Sequence, residues 1–108
     1  MYEANYLFDI ILMGHALRDA ATAARATILH THLHHFTEND GISGVLVLAE
    51  SHISVHTWPE HRYAAFDIFM CGDAEPAKAV DVLCTYFRPK NRTVIELLRG
   101  TKTSGSAA

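Results

Sequence analysis

From Thr27 to Met70 the chain is a succession of short segments rich in β-branched and aromatic residues, each closed by a turn signal. This order limits the fold more than any other feature. Thr27–Phe36 alternates apolar and polar side chains and predicts a strand. Thr37-Glu38-Asn39-Asp40-Gly41 is a turn by composition. Val45–Ala49 is apolar and predicts a buried strand; Ile53–Thr57 predicts a short one closed by Trp58-Pro59, and Tyr63–Met70 another. Helical patterning is confined to two stretches. Residues from about His15 to Ala26 are rich in alanine, with Leu17, Ala20, Ala21 and Ala24 near helical spacing. The second helix is capped by Asp73 or Glu75, has Pro76 in its first turn, and runs to about Phe87, ahead of Pro89. Tyr6–Leu12, broken by Gly14, and Thr93–Leu98 are the expected first and last strands. Many strands and two helices in this order predict an α+β two-layer sandwich, a mainly antiparallel sheet with both helices on one face. The other face then needs cover, and a homodimer or larger assembly is the expected source of it.

With 108 residues, 49% of them apolar, the chain suffices for a single domain over residues 1–100. The small, polar tail Thr101–Ala108 is expected to be disordered. Net charge is −3 with both signs mixed, and no basic block or stripe suggests a nucleic-acid partner. The apolar run Tyr6–Met13 contains Asp9 and is too short to cross a bilayer, so no membrane partner is expected. The residues after Met1 do not form the charged start of a secretory leader. Two cysteines, Cys71 and Cys84, do not make a disulfide framework. A cytoplasmic protein with free thiols is the expectation.

Chemistry-bearing residues gather between Gly41 and Gly72. Ser51 follows an apolar strand directly, with Glu50 before it, His52 and His56 close by and Glu60 beyond. Cys71 ends a later strand beside Gly72. These are the parts of a nucleophilic site. The same residue types also describe a Ser-His pair beside a strand and a small buried cysteine. No G-x-S-x-G elbow is present, which argues against an α/β-hydrolase. His30, His32 and His34 alternate on one strand face with His35 adjacent, a spacing that suits zinc or nickel. No carboxylate or thiolate partner is evident beside them, and no metal is expected.

The run Ala-Glu-Ser-His-Ile-Ser-Val-His-Thr-Trp-Pro-Glu at 49–60, followed by Tyr-Ala-Ala-Phe-Asp-Ile-Phe at 63–69 and Cys-Gly at 71–72, closely resembles the processing and active-site segment of prokaryotic S-adenosylmethionine decarboxylase proenzymes. His34-His35-Phe36 and Ser43, flanked by Gly41 and Gly44, also fit, and the resemblance is strongest over 32–72. It implies a pyruvoyl-dependent carboxy-lyase of polyamine (spermidine) biosynthesis, made as a zymogen. Such a chain cuts itself at the bond between Glu50 and Ser51. The serine hydroxyl attacks the preceding carbonyl, the amide becomes an ester, and β-elimination releases the upstream piece. The dehydroalanine left behind hydrolyses to a pyruvoyl group with loss of ammonia. The implied products are a β chain of residues 1–50 and an α chain of residues 51–108 that begins with pyruvoyl, with no external cofactor. The pyruvoyl carbonyl forms a Schiff base with the substrate amine and withdraws the electrons freed when carbon dioxide leaves. By the same matching, Cys71 is the proton donor, His56 assists processing, and Ser43 supports it. Phe36 stacks on adenine and Glu60 holds the ribose hydroxyls. Ser51 and His56 are five apart, so an unbroken strand would turn them to opposite faces. A bulge or bend would be needed to bring them together.

The chain departs from the family at several points. Ala4-Asn5-Tyr6-Leu7 and Leu12-Met13-Gly14 stand where the family usually has Gly-x-His-Leu and Tyr-Gly-Cys; His61-Arg62-Tyr63 stands in place of Tyr-Gly-Tyr. Glu38 and Asp40 make the turn after Phe36 more acidic than usual. An acidic rim would suit a cationic tail, so a relative acting on L-arginine or L-ornithine is the alternative. A scaffold that had lost processing would not be expected to retain Ser51, His56 and Cys71 together. Trp58 and Pro59 are expected to shape the turn that presents Glu60. Cys84 is expected to pack in the core, and Arg62 and Arg99 to lie at the surface.

Overall fold

Alternating burial builds a four-stranded antiparallel meander, β1 (Ile28–His35), β2 (Ile42–Leu48), β3 (Ser51–Trp58) and β4 (Tyr63–Phe69), whose spatial order follows the sequence. The computed structural model describes residues 1–49, 51–70 and 74–94. On β2 and β3 the side chains of Ile42, Leu46, Leu48, Ile53, Val55 and Thr57 are buried in one layer. Their neighbours Ser43, Val45, Val47, His52, Ser54, His56 and Trp58 point to the opposite, open face, as the period of two requires. His30, His32 and His34 are paired with Val47, Val45 and Ser43 and share that open face.

Two helices cover the other side, α1 (Ile10–Ala23) and α2 (Pro76–Phe87). Met13, Ala16, Leu17, Ala20 and Ala21 form the buried stripe of α1 and belong to one core with Ile42, Leu46 and Ile53. Ala79, Leu83 and Phe87 are the buried residues of α2. The Phe87 ring lies 6.2 Å from that of Phe66 on β4. The α+β architecture expected from the sequence is the one observed.

The first expected strand is overturned. Tyr6 has a φ of 61° and cannot continue a strand. Asp9 accepts a hydrogen bond from Leu12 N at 3.0 Å as the N-cap, so the helix begins at Ile10. The composition of Ile10–Met13 suits a strand, but Met13 starts the stripe that Leu17, Ala20, Ala21 and Ala24 continue. Gly14 does not break the chain and sits on the buried side of α1. The first helix also ends earlier than expected, at Ala23, with Arg25 at a φ of 68°. β2 and β3 are longer than expected, and β3 begins at Ser51 itself. Of the expected last strand, Thr93 and Val94 are not in a strand, and the rest lies outside the described residues, as does the tail.

Gly44 marks a close approach of β2 to β1. A Cβ there would lie 2.4 Å from Leu33 Cδ2 and 2.5 Å from the backbone oxygen of His32. The amino-terminal arm lies beside β4: Tyr2 bridges to both Tyr63 and Asn91, and Ala64 N donates to Met1 O at 3.1 Å. Arg62, at a φ of 51°, lies at the surface as expected and also grips this arm. Its Nη2 reaches Asn5 Oδ1 at 2.9 Å and Glu3 O at 3.4 Å, and its Nε reaches Ala4 O at 3.4 Å.

Candidate active site

The β2–β3 ladder makes Ser43 and His56 direct cross-strand partners on the open face. They line a shallow groove of ≈ 330 Å³ together with Ser54 and Asp67. A row of rings runs beside it. Phe36 meets His34 edge-on at 4.6 Å and lies nearly parallel to His56 at 6.5 Å. Trp58 stacks flat on His56 at 4.2 Å, and Tyr63 follows at 5.3 Å. Trp58 therefore does more than shape a turn: its indole fixes the plane of the His56 ring.

Buried Thr57 secures this end of the sheet from beneath. Its hydroxyl accepts from Ile42 N at 2.8 Å and donates to Leu7 O at 3.1 Å, which ties the residue next to Ser43 to the residue next to His56. Glu60 lies in the 3-10 turn Pro59–His61 and accepts from Asn39 Nδ2 at 3.4 Å; Asn39 Oδ1 in turn accepts from Gly41 N at 2.8 Å. The turn after Phe36 and the turn carrying Glu60 are thus joined. Asp40, one of the two acids of the expected cationic rim, faces His35 Nε2 at 3.3 Å.

Ser51 stands apart from this cluster. It is half-buried, and its hydroxyl donates to Ala49 O at 3.3 Å. The ladder runs without a shift from the Ser43–His56 pair to the Leu48–Ser51 pair. At the usual rise the two pairs are roughly 16 Å apart, and parity turns Ser51 toward the helix side. The bulge that would have joined Ser51 to His56 is not present in β3. Glu50 and Cys71 lie outside the described residues. The last residue of β4, Phe69, is paired with His52, next to Ser51.

Asp67 was not singled out from sequence as a site residue. Its Oδ2 lies 3.4 Å from His52 Nε2, and the His52 ring stacks on Phe69 at 5.6 Å. Its signal was the strand register, which places Asp67 opposite Ser54 and diagonal to His52. Cys84 is half-buried rather than a core residue and accepts a hydrogen bond from Arg92 Nη1 at 3.2 Å. Among the described residues no three His, Cys, Asp or Glu side chains gather as a metal site. No described helix is long and apolar enough to cross a membrane. On the helix layer, the hydrogen bond and charge of Lys78 hold the Glu75 carboxyl below its ordinary value, and donation to Asp19 raises the Tyr86 phenol.

A family model described as S-adenosylmethionine decarboxylase matches residues 1–100. The S-adenosylmethionine decarboxylase proenzyme of Thermomicrobium roseum is 43% identical over 86 residues, covering 79% of this chain and 74% of that protein. The proenzyme of Fervidobacterium nodosum is 45% identical over 99 residues, covering 91% and 72%. The crystal structure of the adenosylmethionine decarboxylase from Aquifex aeolicus superposes with a TM-score of 0.63 at 34% identity, over 81% of this chain and 78% of that one.

Proposed function

Because the chain belongs to the S-adenosylmethionine decarboxylase family, we propose that it is a proenzyme that cuts itself between Glu50 and Ser51 and then decarboxylates S-adenosylmethionine for spermidine synthesis in the cytoplasm. The observation that carries this reading is the pairing of Ser43 with His56 on the open face, beside the aromatic row.

Ser51 suits the origin of a pyruvoyl group. It opens β3 directly after the β2–β3 turn, and its hydroxyl already lies against the backbone just upstream, at Ala49 O. Once formed, that group supplies an electron-withdrawing carbonyl for the substrate amine. The chain's own residues do the rest. His56, with its ring plane set by Trp58 and Ser43 across from it, moves the proton during scission. Phe36 offers a face to the adenine. Glu60, oriented by Asn39, accepts from the ribose hydroxyls. β4 ends beside the start of β3, and Cys71, two residues after Phe69 in the sequence, returns a proton to the substrate carbon.

The working unit is a homodimer of cleaved protomers. In one chain Ser51 and the Ser43–His56 pair occupy opposite ends of one ladder. A two-fold axis that covers the open face brings the His56 end of one copy beside the strand end that carries Ser51 in the other, and the Ser51 side chain, turned to the helix side in the single chain, turns toward it.

Intact mass and substrate trials test this reading. The expected result is two fragments, 1–50 and 51–108, the second lacking a free amine and carrying one borohydride-reducible carbonyl. Carboxyl-labelled S-adenosylmethionine should release carbon dioxide, and arginine and ornithine should not. A single uncut chain of 12.0 kDa after long incubation would sink the proposal.

A further inference from the structure

We propose that His52 is a positioning residue for the reactive carbonyl that Ser51 becomes, an inference that rests on the scission at Glu50–Ser51. Cutting there removes the covalent closure between β2 and β3. Residue 51 is then the first residue of the α chain, attached only through the amide of His52. Wherever His52 is held, the carbonyl is held one residue away.

The geometry anchors His52 on β4 in three ways. Its backbone pairs with Phe69, its ring stacks on the Phe69 ring at 5.6 Å and 30°, and its Nε2 lies 3.4 Å from Asp67 Oδ2. Phe69 and Asp67 both belong to the α chain, so these contacts survive scission. The pairing of His52 with Val47 instead crosses to the β chain. The His52 and Asp67 side chains are 39% and 57% exposed, so their ion pair alone is weak. Stack and pair together define the ring's tilt and direction, which is what a terminal group needs to present one face of its carbonyl to substrate. His52 lies four residues along β3 from His56, while Asp67 borders the groove that Ser43 and His56 also line, so intact mass is read on every variant to separate an effect on the carbonyl from one on scission.

The test compares wild type with His52→Ala, His52→Gln and Asp67→Asn, reading intact mass, thermal midpoint, carbonyl trapped by a hydrazine, and kcat and KM separately. Wild type and His52→Ala should both be cut and trap one carbonyl per α chain. The kcat of His52→Ala should fall about tenfold to a hundredfold, the scale of a misplaced reacting group, with KM changed less than about threefold. His52→Gln, which keeps a donor near the Nε2 position, should recover part of the loss, and Asp67→Asn should fall between. A kcat of His52→Ala within about twofold of wild type would overturn the proposal. So would a folded His52→Ala that stays uncut, since that would place the residue in scission. If His52→Ala does not fold, full activity of cleaved Asp67→Asn overturns it and a selective loss of kcat supports it. An uncut wild type removes the underlying reading instead, and the two failures are distinct.

Discussion

His56 is exposed yet is held in one plane by Trp58 at 4.2 Å and 3°. A histidine fixed this way loses little freedom when it takes up a proton, and general-base assistance is typically worth about 10²–10⁴-fold. His56→Ala should therefore fold and cut itself slower by that order, read as the time course of intact mass. If the variant stalls at the ester, hydroxylamine will still cleave it; cutting at the wild-type rate would remove His56 from the mechanism. Ser43, His56, Phe36 and Glu60 could be put forward from the sequence because each falls within the stretch that resembles the family. Asp67 and the stacking role of Trp58 could not. Both depend on which residue of one strand faces which of another, and a single chain's spacing does not state that register.

Among the elements, period and turn chemistry mark the four strands of the sheet, while residue type at the start of α1 points to a strand that does not form. Ile10, Ile11 and Leu12 favour a strand by type, and only Asp9 as a cap, joined to the stripe from Met13 to Ala24, decides for a helix. Asp9→Ala should cost about 0.5–2 kcal/mol, the usual worth of an N-cap, measured by denaturant unfolding. A larger penalty belongs to Thr57, whose hydroxyl serves Ile42 N and Leu7 O while 1% exposed. Thr57→Val keeps the shape and strands both groups, at about 1–3 kcal/mol for each buried polar atom left unpaired. A loss no larger than that of a surface substitution would mean that the segment around Leu7 does not secure β3. The core itself follows the ordinary rule: Leu46→Ala, in the core shared with α1, should cost about 2–5 kcal/mol.

At the scale of the molecule, the proposed nucleophile and its proposed helpers lie apart within one chain. Ser51 lies at one end of the β2–β3 ladder and the Ser43–His56 pair at the other. The sequence already posed this as a parity conflict between Ser51 and His56, and left a bulge as one way out. An unbroken β3 does not supply that bulge, and in the assembly we propose the two groups come from different copies. The distinction is testable by pairing two dead chains. Ser51→Ala has no nucleophile but an intact His56; His56→Ala has the converse. Co-expressed and assembled at random, half of the His56→Ala chains would sit beside a Ser51→Ala partner, as expected for a two-fold dimer. In those pairs one composite site is whole. About half of the His56→Ala chains should then be cut and carry the trapped carbonyl, with the Ser51→Ala chains all intact. Were helper and nucleophile drawn from the same chain, mixing would rescue nothing, and intact mass would show two uncut species.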